Sequence, residues 1–259
     1  MIPRIQGISA AEPRYQNFID ALKGAGFKGD LDKSHSGRLL CATDNSVYQC
    51  MPQAVVFPRD ANDIALLFKT AKRSGFENLI FTPRGGGTGT NGQSLNRGIA
   101  IDMSRYMKNV GELDIDNHCL WVQCGCIKDE LNEQLKQHGL FFSPELSTSN
   151  RATIGGMISN DAAGQGSLKY GRTSSHILKV RVVLTDGTIT EFGPVRGAQL
   201  KECLNKDGLE GEIYRTCYQL LKNNRGDITK LFPKLNRFMT GYDLAHAYDP
   251  RTGTLNLAR

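Results

Sequence analysis

The sequence predicts an α+β fold, and three observations carry that expectation. Two apolar segments flank an amphipathic helical stretch within residues 54–82, the pattern of a β-α-β unit. Turn signals at Asp116-Asn117-His118 and Asp186-Gly187 each sit between short apolar segments, as in antiparallel hairpins. Helical spacing of apolar residues recurs near the start, the middle and the later part of the chain.

Tyr15, Phe18, Ile19 and Leu22 share one helical face, and Gly24 and Gly26 end that helix. Val55-Val56-Phe57 reads as a strand closed by Pro58. Asp60 is placed to cap a helix with an inner face of Ile64, Leu67, Phe68 and Ala71, stopped by Gly75. Leu79-Ile80-Phe81 and Gly98 to Met103 are the next strands. Leu113-Asp114-Ile115 and Cys119 to Val122 flank the first hairpin turn. A helix is expected over Ile127 to Gln137, with Leu131 and Leu135 inward and Gly139 as its cap. A polar, glycine-rich stretch runs from Ser143 to Arg172. Ile177 to Leu184 reads as a strand turning into Thr188-Ile189-Thr190, and residues 208–224 as a helix. Past residue 225 the pattern weakens. Leu255 to Arg259 reads like the start of an element, so the chain is expected to be an N-terminal fragment of a longer protein.

With 259 residues, 39% of them hydrophobic, the chain can bury a full core. The net charge of +6 suits an anionic ligand. Basic residues are scattered and not interleaved with aromatics, so a nucleic-acid partner is not expected. Met1 to Ala11 lacks the apolar core of a signal peptide, and no apolar run approaches the ~18 residues of a membrane helix. Seven cysteines without an export signal predict reduced thiols in a cytoplasmic protein.

The densest chemical signal is Thr82-Pro83-Arg84-Gly85-Gly86-Gly87-Thr88-Gly89-Thr90-Asn91-Gly92-Gln93-Ser94. A strand opening into so many glycines exposes backbone N–H groups with no side chains in the way, which is how a phosphate is cradled. Gly87 to Gly92 formally matches the dinucleotide fingerprint, and Asp102 ends the next strand. That fingerprint requires a helix directly after the glycines. Only Gln93 to Arg97 separate Gly92 from the next strand, whereas a parallel crossover needs about a dozen residues. A Walker-type loop fails too, because no Lys-Ser or Lys-Thr follows. A second cluster begins at Pro144-Glu145. It continues through Ala152-Thr153-Ile154-Gly155-Gly156-Met157-Ile158-Ser159-Asn160-Asp161-Ala162-Ala163-Gly164 to Tyr170-Gly171. Its small residues admit either a ligand lying against the backbone or tight helix packing. Thr153, Ser159 and Asn160 have side chains that donate hydrogen bonds.

Together, the two clusters, the Asp186-Gly187 turn and Pro52 to Pro58 resemble the FAD-binding domain of the vanillyl-alcohol oxidase / p-cresol methylhydroxylase superfamily. The resemblance covers roughly residues 40–195 and looks closest to the FAD-linked D-2-hydroxy-acid dehydrogenases, among them D-lactate and D-2-hydroxyglutarate dehydrogenases. It implies two α/β subdomains: a small sheet with the β-α-β unit and a larger, mainly antiparallel sheet with helices. The implied organisation is an N-terminal helical extension over 1–45 and the FAD-binding domain over 46–259, incomplete at its C-terminal end. Its subdomains would span about 46–115 and 116–259.

Carried over residue by residue, Gly85, Gly86, Gly87, Thr88 and Gly89 would offer their amides to the FAD diphosphate, with Arg84 at the entrance. Thr90, Gln93 and Ser94 would flank the flavin side. Pro144 and Glu145 match a turn near the isoalloxazine. Thr153, Ile154, Gly155 and Gly156, with Ser159, Asn160 and Asp161, match a second FAD-contact segment. Ala163, Gly164, Tyr170 and Gly171 complete the set. The family often reads Asn-Ala-Gly-Gly where this chain has Asp161-Ala162-Ala163-Gly164, which would put a negative charge near an anionic cofactor. A Ser-Glu-Gly-Thr-Leu-Gly-like stretch and the substrate-binding cap of the family are absent, so the catalytic residues are expected outside this chain.

His35, His118, His138, His176 and His246 show no ligand spacing and read as surface or capping residues, with His176 the one to inspect first. No histidine lies in the glycine loop, so the FAD is expected to be non-covalent. Cys124-Gly125-Cys126 has no second close pair, so no metal site is expected, and any iron–sulfur cluster of the long relatives would lie outside this fragment. The resemblance implies hydride transfer from a D-2-hydroxy acid, such as D-2-hydroxyglutarate or D-lactate, to the flavin, giving the 2-oxo acid, with a separate electron acceptor. The alternatives are a nicotinamide-dependent reductase of the same fold acting on a cell-wall sugar nucleotide, and a non-catalytic nucleotide-binding module.

Overall fold

The computed structural model describes residues 10–235 and 242–259. The first nine residues of the expected N-terminal extension, and 236–241, lie outside the described set. The chain forms two compact units: Met1–Phe142 with Ser147–Asn160, and Ser143–Leu146 with Asp161–Arg259.

In the first unit, α1 (Pro13–Gly24) starts with proline in its first turn, where no N–H bond is forfeited, and is followed by Gly26 at φ 93°. β1 (Asp30–Asp32) and α2 (His35–Leu40) follow. β2 (Ala54–Phe57) is buried at every position. α3 (Ala61–Ala71) is capped as expected by Asp60, whose side chain accepts from the N–H groups of Asn62 and Asp63. β3 (Phe81–Arg84) and β4 (Ile99–Asp102) complete a four-stranded sheet in the order β1-β2-β4-β3. β4 is parallel to both β2 and β3, and β1 is antiparallel to β2. Phe18 and Leu22 of α1, Leu67 of α3, and Val56, Ile99 and Ile101 of the sheet form one core.

The strand expected at 79–81 lies later, at Phe81–Arg84. Its register pairs Phe81 with Ile99 and Arg84 with Asp102, so the ladder runs into the polar residues of the glycine run. Pro83 is tolerated because β3 is an edge strand, where the missing N–H forfeits no ladder bond on the open side. The hairpin near Asp116 forms its turn but no regular strands. Asp114 and Cys119 exchange backbone bonds, and His118 sits at φ 50°. α4 (Lys128–Lys136) buries Leu131 and Leu135 as predicted, with Gly139 at φ 69°. α5 (Ile154–Ser159) lies within the stretch that the sequence left without elements.

Asp63 is 3% exposed. One carboxylate oxygen accepts from the Lys28 N–H and the other from the Arg59 N–H, both at 2.9 Å, so one side chain ties two connections together.

In the second unit, α6 (Ser167–Tyr170) and a 3-10 turn at Thr173–His176 precede β5 (Val180–Val183). β5 and β6 (Ile189–Phe192) form the expected antiparallel hairpin, with Gly187 at φ 83° in its turn. β7 (Pro194–Val195) and α7 (Gly197–Leu204) follow. The sequence reading missed α7, whose N-cap, Arg196, makes no side-chain cap bond. α8 (Gly208–Asn223) matches the predicted helix, followed by α9 (Arg225–Leu231) and α10 (Leu244–Ala247). β8 (Tyr248–Asp249) and β9 (Thr254–Asn256) join β7 in an antiparallel sheet ordered β7-β9-β8. The antiparallel pairing is thus divided between a two-stranded and a three-stranded sheet. Phe192, Leu200, Tyr214, Leu221 and Leu255 anchor this unit's core, with Phe192 and Tyr214 packed edge to face at 5.5 Å.

All seven cysteines are free thiols. Burial pushes the Cys41, Cys124 and Cys217 thiols up, and pushes Cys126 up to about 11 with help from the Glu130 charge. Thiolate is the reactive form, so Cys126 is expected to resist iodoacetamide at pH 8 in the native protein. Peptide mapping that finds Cys126 alkylated as fast as in urea would contradict this. Asp63→Ala is expected to cost about 1–3 kcal/mol by leaving two N–H groups unpaired. The check is a lower urea midpoint at an unchanged m-value.

Candidate cofactor site

The glycine loop begins where β3 ends, at the carboxyl end of parallel strands, the usual ligand position in α/β sheets. Among the described residues, the backbone N–H groups from Gly85 to Thr90 donate to no protein acceptor. The loop is half-buried, with only Gly86 and Thr90 exposed. Gly87 takes φ 63°, a conformation that favours glycine, and its carbonyl accepts from the Asn45 N–H at 3.0 Å.

The flanking side chains hold the loop from outside. The Arg84 guanidinium donates to the Thr43 carbonyl at 2.7 Å, and at 3.4 Å to the Cys41 carbonyl and to Ser94 Oγ. Ser94 in turn donates to Asp44 at 3.0 Å. Burial pushes the Asp44 carboxyl up. The hydrogen bonds from Ser46 and Ser94, with the Arg84 charge, outweigh it and hold the group below its ordinary value.

The structure brings residues 151–160, in the middle of the second cluster, against this loop within the same unit. A Cβ on Gly85 would collide with the Thr153 side chain, and one on Gly86 with the Arg151 carbonyl. Gln93 Nε2 donates to Asn160 Oδ1 at 3.0 Å. Thr153 is 2% exposed and Ile154 is also buried. Gly155 is packed on Cys124, whose carbonyl accepts its N–H at 2.8 Å. Gly156 meets only Thr153 Oγ1, at the crowding limit. Ser159 and Asn160 donate back to the Gly155 and Gly156 carbonyls, so part of their hydrogen-bonding capacity is already used.

Pro144, Glu145 and Asp161 to Gly171 belong to the second unit. There Gly164 lies so close to the Glu145 carbonyl that no Cβ fits, and Gly166 faces the Glu145 carboxylate and the Tyr170 ring. Ala163 is half-buried, and Gly171 takes φ 76° after α6. Asp161 adopts φ 45°, which Asn and Asp tolerate best among side-chain residues. Its carboxylate pairs with Arg172 at 2.9 Å and accepts from the Ser174 N–H. Arg172 also reaches Asp243 at 3.3 Å. The Asp161 charge is therefore neutralised within the protein. His176 Nε2 lies 2.7 Å from the Tyr170 carbonyl, which only accepts, so this nitrogen carries the proton; Ser143 Oγ is 3.2 Å away.

The donor set fits a diphosphate: unengaged amides on a held loop, and no Asp, Glu or His between Arg84 and Ser94. That composition suits an anion and offers no acid–base group. Sequence reasoning missed Asp44 and Arg172. Asp44 gave no signal because its partner lies fifty residues away. Among the described residues, no group of three or more His, Cys, Asp or Glu is placed to hold a metal ion, and no helix is long and apolar enough to cross a membrane.

Residues 52–193 match the model of the FAD binding domain family. Over its whole length the chain is 50% identical to D-2-hydroxyglutarate dehydrogenase of Escherichia coli and 49% identical to that of Pantoea ananatis. It is 31% identical, over 68% of its length, to the mitochondrial D-lactate dehydrogenase [cytochrome] 1 of Saccharomyces cerevisiae, covering 28% of that protein. The chain spans about a quarter of the length of the two bacterial relatives. Among solved structures, alkyldihydroxyacetonephosphate synthase superposes with a TM-score of 0.60 at 23% identity, over 71% of this chain and 36% of that one. The BBE-like 1 protein of Physcomitrella patens gives 0.59 at 21% identity, over 68% and 37%. These superpositions show that the chain shares its α+β fold with both solved structures. With more than half its residues matched, the chain belongs to the FAD binding domain family.

Proposed function

We propose that this chain is the FAD-binding part of a dehydrogenase that oxidises a D-2-hydroxy acid, D-2-hydroxyglutarate foremost, to the 2-oxo acid. The observation that carries the proposal is the row of unengaged N–H groups from Gly85 to Thr90. It lies in a chain half identical throughout to D-2-hydroxyglutarate dehydrogenases.

When bound, FAD supplies the hydride acceptor. The protein's share is binding and orientation. The amides of Gly85 to Gly89 donate to the diphosphate oxygens. Thr90, Gln93 and Ser94 border the loop, and the Gln93–Asn160 bond ties it to the segment starting at Thr153. With no histidine or cysteine between Arg84 and Ser94, the loop offers no tether, which supports non-covalent binding. Pro144, Glu145 and residues 161–171 form the remainder of the proposed cofactor-contacting set. The FAD-binding domain is proposed to occupy 46–259, with residues 1–45 as a helical extension. Substrate-binding and catalytic groups, and the site that delivers electrons to an acceptor, are assigned to the remainder of proteins built like the relatives. Free thiols suit a reducing compartment such as the cytoplasm.

The purified protein is expected to carry, or take up on adding FAD, a visible flavin spectrum. In the full-length protein, D-2-hydroxyglutarate should bleach it anaerobically, faster than the L-isomer or NADPH. A colourless protein that takes up no FAD overturns the cofactor assignment, and bleaching by NADPH alone redirects the function to a nicotinamide-dependent reductase. Gly87→Ala should raise the FAD Kd about tenfold or more, because a side chain at φ 63° is strained and crowds Arg84. Titration with FAD, with circular dichroism to verify folding, measures this.

A further inference from the structure

The matched family segment begins at residue 52, yet much of what holds the glycine loop lies upstream of it. Residues 42–50 form a small hairpin, closed by the Thr43–Gln49 bridge and by the Cys50 N–H donating to the Ala42 carbonyl at 2.8 Å. Its tip meets the loop at three places. Asn45 N–H donates to the Gly87 carbonyl, Asp44 accepts from Ser94, and the Tyr48 ring lies where a Cβ on Gly92 would touch it at 3.0 Å.

These contacts form a directed chain. Asp44 also accepts from the Ser46 N–H at 2.8 Å, which fixes the carboxylate. By accepting the Ser94 proton, Asp44 turns the hydroxyl lone pairs toward the Arg84 guanidinium. Arg84 then lies beneath Gly87, where an added Cβ would be 2.7 Å from Nη2. We propose that Asp44 is a positioning residue for the cofactor, acting through Ser94 and Arg84 to preset the Gly85–Gly89 loop. The working FAD-binding unit then reaches back from the proposed 46–259 domain to about residue 41, taking in the start of the 42–50 hairpin. The proposal rests on the FAD reading above. Its physical basis is preorganisation: a loop held in place beforehand loses less freedom when a diphosphate binds.

The test titrates the full chain with FAD and, separately, with ADP, which shares the diphosphate, well below each variant's melting temperature. Asp44→Ala should weaken both about tenfold, the effect of losing hydrogen bonds to a charged group. Asp44→Asn keeps one acceptor oxygen and should recover part of the loss. Adding Asp44→Ala to Ser94→Ala should weaken binding no further than Ser94→Ala alone, since the two act in series. Wild-type affinity for both ligands in folded Asp44→Ala overturns the proposal, as does a loss that adds to that of Ser94→Ala. Wild-type protein that binds neither ligand overturns the FAD reading and this inference with it. Wild-type binding with an unaffected Asp44→Ala overturns the inference alone.

Discussion

The close approach of Gly85 and Gly86 to Thr153 and the Arg151 carbonyl is the constraint on which the candidate site depends. Two segments distant in sequence come together only because neither glycine carries a side chain. The seam leaves the loop's own N–H groups unspent, because neighbouring side-chain and backbone donors satisfy the surrounding polar groups instead. Arg84 serves the Thr43 and Cys41 carbonyls, Asn45 serves the Gly87 carbonyl, and Gln93 reaches Asn160. Backbone donors left unpaired at a half-buried loop are costly unless a ligand or solvent meets them. An anionic ligand is the partner that repays such an arrangement best.

Charge is handled locally. A net charge of +6 attracts an anion only broadly. The specific danger was Asp161, a carboxylate in a segment matched to cofactor contact. Arg172 pairs with it and with Asp243, and the Arg172 and Asp243 side chains are only 12% and 7% exposed. A positive φ at Asp161 then needs only a short polar side chain, a requirement that Asp meets as readily as Asn. The departure from the family pattern therefore changes the charge at a backbone position that Asp and Asn both tolerate.

Much of the first unit was legible because its signals are local. Asp60 caps α3 within three residues, and β2 is an unbroken apolar run between prolines. The five-residue gap after Gly92 was enough to exclude a crossover helix by counting. Elements with weak local signals were not legible: α7 starts without a side-chain cap, and α5 is only six residues long and includes two adjacent glycines. The strand entering the loop was placed too early, because Thr82, Pro83 and Arg84 look like loop residues and are strand only by virtue of β4 beside them.

The sequence by itself determined the α+β class, the two glycine clusters and the family they resemble, since these follow from residue type and short spacing. Only the tertiary structure decided what the glycines at 85 and 86 are for, which carboxylate steadies the loop, and which cation answers Asp161. Each of these is a pairing between segments that the chain's local pattern does not connect. The Asp44–Ser94 bond spans fifty residues, and hydrogen bonds and close backbone approaches of that range leave no periodicity to read.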